Sequence, residues 1–233
     1  MEEIIRYAVY FAPRPGAFAD QAAAWLGWDA AAGAPVAQAA VAGLPVALAE
    51  ITADPARYGF HGTLRAPFRA AEGVSRAEVA EAVANLAARL APVVCEGLRL
   101  EDLAGFLALT PEGCGADLLE LAARVVEGTD HLRAPLTAAE VARRRPEALT
   151  RRQRALLDAW GYPYVMEEFR FHLTLTGRLT GRLAEGLAGP VAVALGAAFG
   201  PLLPRPFIIE DLCLFGEDAA GRFRVLHRYP LIG

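Results

Sequence analysis

The string Phe60-His61-Gly62-Thr63-Leu64 returns 111 residues later as Phe171-His172-Leu173-Thr174-Leu175. Two of the chain's four histidines stand in it. In a β-strand, residues i and i+2 share a face, so each copy projects an imidazole beside a hydroxyl. Two such pairs brought together would place an acid, a base and two hydroxyl donors around one small anion. Strict alternation surrounds the second copy. Phe169, Phe171, Leu173 and Leu175 fall on one face, and Arg170, His172, Thr174, Thr176 and Arg178 on the other. The first copy sets Tyr58, Phe60 and Leu64 against His61, Thr63 and Arg65, with Gly62 in an apolar-face position and Pro67 near the strand end.

A chain of 233 residues with 55% hydrophobic residues has ample material for a core, as one large domain or two lobes. Its net charge of −4 argues against general attraction to nucleic acid. All 23 basic residues are arginine, which is read as compositional bias. Cys95, Cys114 and Cys213 are odd in number and lack C-x-x-C spacing. They are expected as free thiols in a reducing cytoplasm rather than as a disulfide frame or zinc site. The acidic Met1-Glu2-Glu3 start runs into a strand pattern and is not read as a signal peptide. The apolar stretch 187–203 is broken by Pro190, Gly196, Gly200 and Pro201, so it is read as a buried helix and loop, not a membrane span.

The pattern predicts a strand over 4–12, a helix over 17–26, a loop-rich stretch over 27–55 with a short helix over 45–51, and the first F-H-x-T-L strand. A helix over 75–90 follows, opened by a Ser75/Glu78 capping box. Strands over 94–101 and 105–110 precede a helix over 115–127. Residues 129–165 read as an insertion of two short helices, with capping boxes at Thr137/Glu140 and Thr150/Gln153 and a stop at Gly161. The second F-H-x-T-L strand, a helix over 180–199 and strands over 207–216 and 223–230 complete the chain. Leu100-Glu101-Asp102-Leu103 is echoed by Ile209-Glu210-Asp211-Leu212. The expected architecture is α+β: a single bilobal domain over 1–233 with duplicated halves of about 1–110 and 111–233. Each lobe is an antiparallel sheet with helices on its outer face, and the H-x-T strands face a central cleft.

Paired H-x-T strings on duplicated strands resemble the two-histidine phosphoesterase superfamily, which includes RNA 2′,3′-cyclic phosphodiesterases and RNA-ligase-like enzymes. Arg6-Tyr7-Ala8-Val9-Tyr10-Phe11-Ala12-Pro13, Tyr58-Gly59-Phe60-His61 and Trp160-Gly161-Tyr162-Pro163-Tyr164 before Phe169-Arg170-Phe171-His172 narrow the resemblance. They are similar to a bacterial branch encoded near phosphonate-degradation genes and called phosphonate metabolism proteins. The resemblance spans nearly the whole chain. It implies His61 and His172 as catalytic residues, and Thr63 and Thr174 as phosphate-binding ones.

Opening a cyclic phosphodiester requires a base for the attacking water and an acid for the leaving oxygen. Imidazole, with an ordinary pKa of about 6.5, suits both roles. Analogy favours His172 as base and His61 as acid, while the near-symmetry leaves the order open. Arg65 and Arg170 are candidates for added phosphate contacts, and Tyr10, Tyr162 and Tyr164 for contacts to a substrate ring. Tyr7 has the same aromatic character. Asp54, Glu101 and Asp102 are candidates for orienting an imidazole. His131 and His227 read as structural. The arginine run 143–154 reads either as a lid over phosphates or, preferably, as a solvated helix face.

The expected function is a metal-independent phosphodiesterase acting on a small cyclic or linear nucleotide or sugar phosphate, with no cofactor and no metal. The expected partner is that small phosphorylated substrate, with no membrane and no long nucleic acid. A non-catalytic nucleotide or phosphate sensor using the same cleft is the alternative. An RNA-end-processing protein and a two-histidine metal site rank below it.

Overall fold

The computed structural model describes residues 3–38, 40–44, 46–179 and 182–233. Residues 45 and 180, where two of the expected helices begin, lie outside that set. The first half of the chain runs β1 (Arg6–Phe11), α1 (Ala17–Leu26), β2 (Trp28–Asp29), β3 (Ala34–Pro35), α2 (Leu48–Ala56), β4 (Gly62–Phe68), α3 (Arg76–Ala87), β5 (Val93–Cys95), β6 (Gly97–Asp102) and β7 (Leu107–Glu112). It continues with α4 (Gly115–Thr129), α5 (Ala138–Arg143), α6 (Arg151–Trp160), β8 (Leu173–Thr174), α7 (Arg182–Phe199), β9 (Phe207–Ile209), β10 (Asp211–Glu217) and β11 (Phe223–Pro230). All three predicted capping boxes are present, at Ser75/Glu78, Thr137/Glu140 and Thr150/Gln153. Gly161 ends α6 in the left-handed region at φ 73°, as its position after the last apolar turn requires.

Seven strands form one antiparallel sheet in the order β11-β10-β1-β4-β8-β7-β6. The two H-x-T segments are neighbours at its centre, joined by the single pair Gly62↔Leu173. From that seam the order reads outward as β4, β1, β10, β11 on one side and β8, β7, β6 on the other. β6 and most of β7 come from the first half of the chain yet lie on the side of β8, while β10 and β11 come from the second half and lie on the side of β4. The two sides of the seam are therefore not consecutive stretches of sequence. β5 leaves the line of β6 to pair with β9 in a separate two-stranded sheet.

One face of the large sheet carries the main core. Val9, Leu64, Phe68, Leu107, Leu109, Leu173 and Leu175 pack there with Val79, Val83 and Leu86 of α3 and Leu118, Leu121 and Val125 of α4. Full burial of each such side chain contributes about 1.5–3 kcal/mol. On the other face, Ala8 and Tyr10 join Trp28, Phe215 and Phe223 in a smaller aromatic cluster. That face is the one on which the histidines open.

Gly62 explains why the two copies differ at their middle residue. A Cβ there would stand 2.2 Å from the Phe171 ring of the other copy, because β4 and β8 touch at this residue. Gly62→Ala is expected to destabilise the protein by about 1–3 kcal/mol through overpacking. Urea unfolding measures it, and an unchanged midpoint would contradict the packing described.

Two expectations are corrected. Cys95 and Cys114 are joined as a disulfide, not free, and only Cys213 is a free thiol. The β6–β7 hairpin pairs Gly97 with Glu112, and continuing that register outward sets residue 95 opposite residue 114. Their Cα atoms are 4.7 Å apart, within bridging reach. The hairpin register, and no C-x-x-C spacing, makes the bond, and it removes the free-thiol argument for a reducing compartment. The second correction is the strand expected around His172, which shrinks to Leu173–Thr174. Among the described residues, no helix is long and apolar enough to cross a membrane.

Candidate active site

His61 and His172 each stand one residue before their strand. The Nδ1–H of His61 donates to the Gly59 carbonyl at 2.9 Å. The Nδ1–H of His172 donates in the same way to the Arg170 carbonyl at 2.9 Å. A carbonyl only accepts, so both rings carry a proton on Nδ1 and turn Nε2 outward. Gly59 allows the turn that leads into His61. Its φ is +70°, and a Cβ there would stand 2.6 Å from the Ala30 side chain.

Both imidazoles, Thr63 and Thr174 line one cavity of about 490 Å³ over the seam between β4 and β8. The Thr63 hydroxyl donates to His61 Nε2 at 3.3 Å. Tyr10 is 1% exposed and stacks on His61, with ring centres 4.0 Å apart and planes 30° apart. It serves as a floor for the imidazole, and its own burial raises its phenol pKa well above 10. Phe106 packs against His172 at 5.5 Å.

Burial pushes His61 down from 6.5 to about 4, against the hydrogen bond to Gly59, which raises it, while His172 lowers it further. The folded protein therefore holds a neutral His61. An unfolded chain takes up this proton near pH 6.5 and the folded one near pH 4. The stability from this residue is complete above pH 6.5 and is lost as pH falls toward 4. Between pH 7.5 and 4.5 the wild type should lose about 2 kcal/mol more than His61→Ala. Urea titrations at the two pH values test this, and parallel losses would contradict it.

Two proposed phosphate contacts lie elsewhere. Arg65 is 2% exposed and turned into the protein, its Nη2 donating to Asp130 at 2.8 Å. β4 carries register irregularities against β1: Thr63 pairs with Tyr10, but Arg65 pairs with Val9. The irregularity breaks the i, i+2 rule and sends Arg65 to the face of Val9. Arg170 is exposed, and its Nη1 donates to the Phe169 carbonyl and back to the Glu167 carbonyl of the 3-10 turn Met166–Glu168. Tyr162 lines the cavity, while Tyr164 is 46% exposed and stands edge-on to Tyr162.

The cavity instead gathers Arg6, Arg57, Arg143, Arg144 and Arg178, with Tyr58 and Thr176. Of these, Arg178 and Thr176 share the cavity-side alternation of the second copy, which was the available signal. The arginine pair 143–144 belongs to the basic run read as a solvated face, and the structure sets both at the cavity wall. Arg6 is held by Glu217 through Nη2–H donating to Oε1 at 2.7 Å. Of the acidic candidates, Asp54 borders the cavity, while Glu101 accepts from Thr110 and Asp102 from the Gly105 N–H. Among the described residues, no group of three or more His, Cys, Asp or Glu is placed to hold a metal ion.

The chain belongs to the family described as "Protein of unknown function (DUF1045)", which it matches over residues 63–224. It is 43% identical over 235 residues to a protein of Janthinobacterium sp. (strain Marseille) named ribose 1,5-bisphosphate phosphokinase PhnN, covering 100% of this chain and 52% of that protein. A protein of the same name from Laribacter hongkongensis is 40% identical over 221 residues, covering 93% and 49%. The chain thus spans about half the length of these curated relatives. Similar solved structures include Escherichia coli LigT complexed with 3′-AMP (17% identity, TM-score 0.44, 99% and 100% of the two chains). Another is TT0787 of Thermus thermophilus (16% identity, TM-score 0.45, 98% and 99%).

Proposed function

We propose that the protein is a phosphodiesterase that hydrolyses a small cyclic or linear nucleotide or sugar phosphodiester by His/His acid–base catalysis, without a metal. The observation that carries this reading is the matched presentation of two imidazoles. Both are bonded through Nδ1 to the carbonyl two residues back and border one cavity with their i+2 threonines. One Nε2 takes the proton of the attacking water, and the other imidazole, protonated, delivers one to the leaving oxygen. The Thr63 and Thr174 hydroxyls bind the non-bridging oxygens, where charge accumulates in the transition state. Tyr10 holds the plane of His61 from below. The neutral state of His61 in the free protein fits the base and reverses the order that analogy favoured.

The name of the relatives supports a phosphorylated ribose as substrate and a place in phosphonate metabolism. The phosphokinase in that name is not assigned to this chain, which has no lysine for a P-loop. The test is a panel of 2′,3′-cyclic nucleotides and ribose cyclic phosphates, assayed with EDTA present. Turnover that survives chelation supports the reading. A folded protein that binds these compounds, as judged by a melting shift, and converts none of them would be a sensor instead.

A further inference from the structure

The cavity carries more positive charge than one diester requires. Five arginines border it against two carboxylates, Asp54 and Glu140. The whole chain carries −4, so the excess is local. Glu140 is already engaged by Arg69, whose Nε and Nη2 donate to it at 3.1 and 3.0 Å. Glu217 holds Arg6 and stands 4.0 Å from Arg57. Among the described residues, no carboxylate pairs with Arg143, Arg144 or Arg178. A phosphodiester brings one negative charge to such a site, whereas a phosphomonoester brings about 1.5 to 2 at pH 7.

Arg143 and Arg144 are the pair built for a second anion. They end α5, which comes from the insertion and not from the strands that carry the histidines. The Thr137/Glu140 box fixes the start of this helix, and the Glu140–Arg69 pair ties it to the end of β4. The Arg144 guanidinium lies 4.8 Å from the Tyr162 ring centre. This cation–π contact holds the guanidinium at the cavity wall while its N–H groups stay available for an anion.

We infer that Arg143 and Arg144 form a second anion subsite in the cavity, which takes a phosphomonoester of the substrate distinct from the diester at the histidines. The inference rests on the proposed phosphodiester centre and narrows its substrate class to small diesters that carry a separate terminal phosphate. A cavity of about 490 Å³ has room for a sugar between the two groups.

The experiment is calorimetric titration of the protein with 3′-AMP and with adenosine 3′,5′-bisphosphate. The bisphosphate should bind at least about tenfold tighter, the scale of one charge-assisted hydrogen bond. In the double variant R143A/R144A, and in R143Q/R144Q, which keeps the side-chain length, that advantage should shrink to less than about twofold. Equal affinities in the wild type, an advantage that survives both double variants, or no binding of either compound would overturn the inference. Turnover of 2′,3′-cyclic AMP by the same preparation separates the two readings. Turnover with equal affinities removes the second subsite alone. An arginine-dependent advantage without turnover of any diester removes the hydrolytic function alone.

Discussion

Replacing either histidine, as His61→Ala or His172→Ala, should lower kcat/KM on a cyclic phosphodiester by at least a hundredfold, within the roughly 10²–10⁴ range of general acid–base catalysis. Both substitutions should act mainly on kcat. Each imidazole is fixed at Nδ1 by a carbonyl and offers only Nε2 to the cavity, so its loss removes proton transfer more than binding surface. The double variant should be little slower than either single one, because acid and base act in the same step. A single variant with more than a tenth of wild-type kcat/KM would remove that histidine from the mechanism. Melting curves identify a variant that has lost its fold, which matters most for His61 because Tyr10 is stacked against it.

The second large effect concerns Arg65, which turned out to be structural. Its guanidinium is buried beside the Phe68 ring, and its partner Asp130 also accepts from Arg133 Nε at 3.0 Å. Arg133 in turn donates to the Ala159 carbonyl near the end of α6, so one carboxylate links β4 to the insertion. Asp130→Ala leaves the Arg65 charge buried without a counter-charge. It should destabilise the fold by about 3 kcal/mol, the lower end for a broken buried pair because Asp130 is itself part exposed. Adding Arg65→Met should recover most of that loss, since the double change removes the orphaned charge. Equilibrium urea unfolding of the three variants measures it. A loss below about 1 kcal/mol for Asp130→Ala would show that the pair does not hold the insertion in place.

Much of this fold was legible because local signals were strong. Capping boxes marked helix starts at Ser75, Thr137 and Thr150, and the period-2 pattern set His172 and Thr174 opposite Leu173 and Leu175. The same rule failed at Arg65. A strand irregularity costs the sequence no recognisable residue, yet it turns Arg65 to the core face, and a second one keeps Phe68 on that same face with Leu64. Arg170 failed for a different reason. The alternation around it holds, with Phe169, Phe171, Leu173 and Leu175 on the core, but the Arg170 guanidinium turns back to the Glu167 and Phe169 carbonyls instead of reaching the cavity. The sheet order depends on pairings between segments far apart in sequence, such as β1 with β10, and the disulfide on the register of the β6–β7 hairpin. The cationic wall of the cavity was hidden by abundance. With every basic residue an arginine, Arg143 and Arg144 looked like any other charged helix end until the fold set them beside Tyr162.

The most direct test of the two-histidine account is phosphorus NMR of a 2′,3′-cyclic nucleotide incubated with the protein in EDTA. The wild type should convert the cyclic resonance to a phosphomonoester, and His61→Ala and His172→Ala should leave it in place. Conversion that proceeds equally in all three proteins, or in none across the cyclic phosphate panel, would contradict hydrolysis by the paired imidazoles.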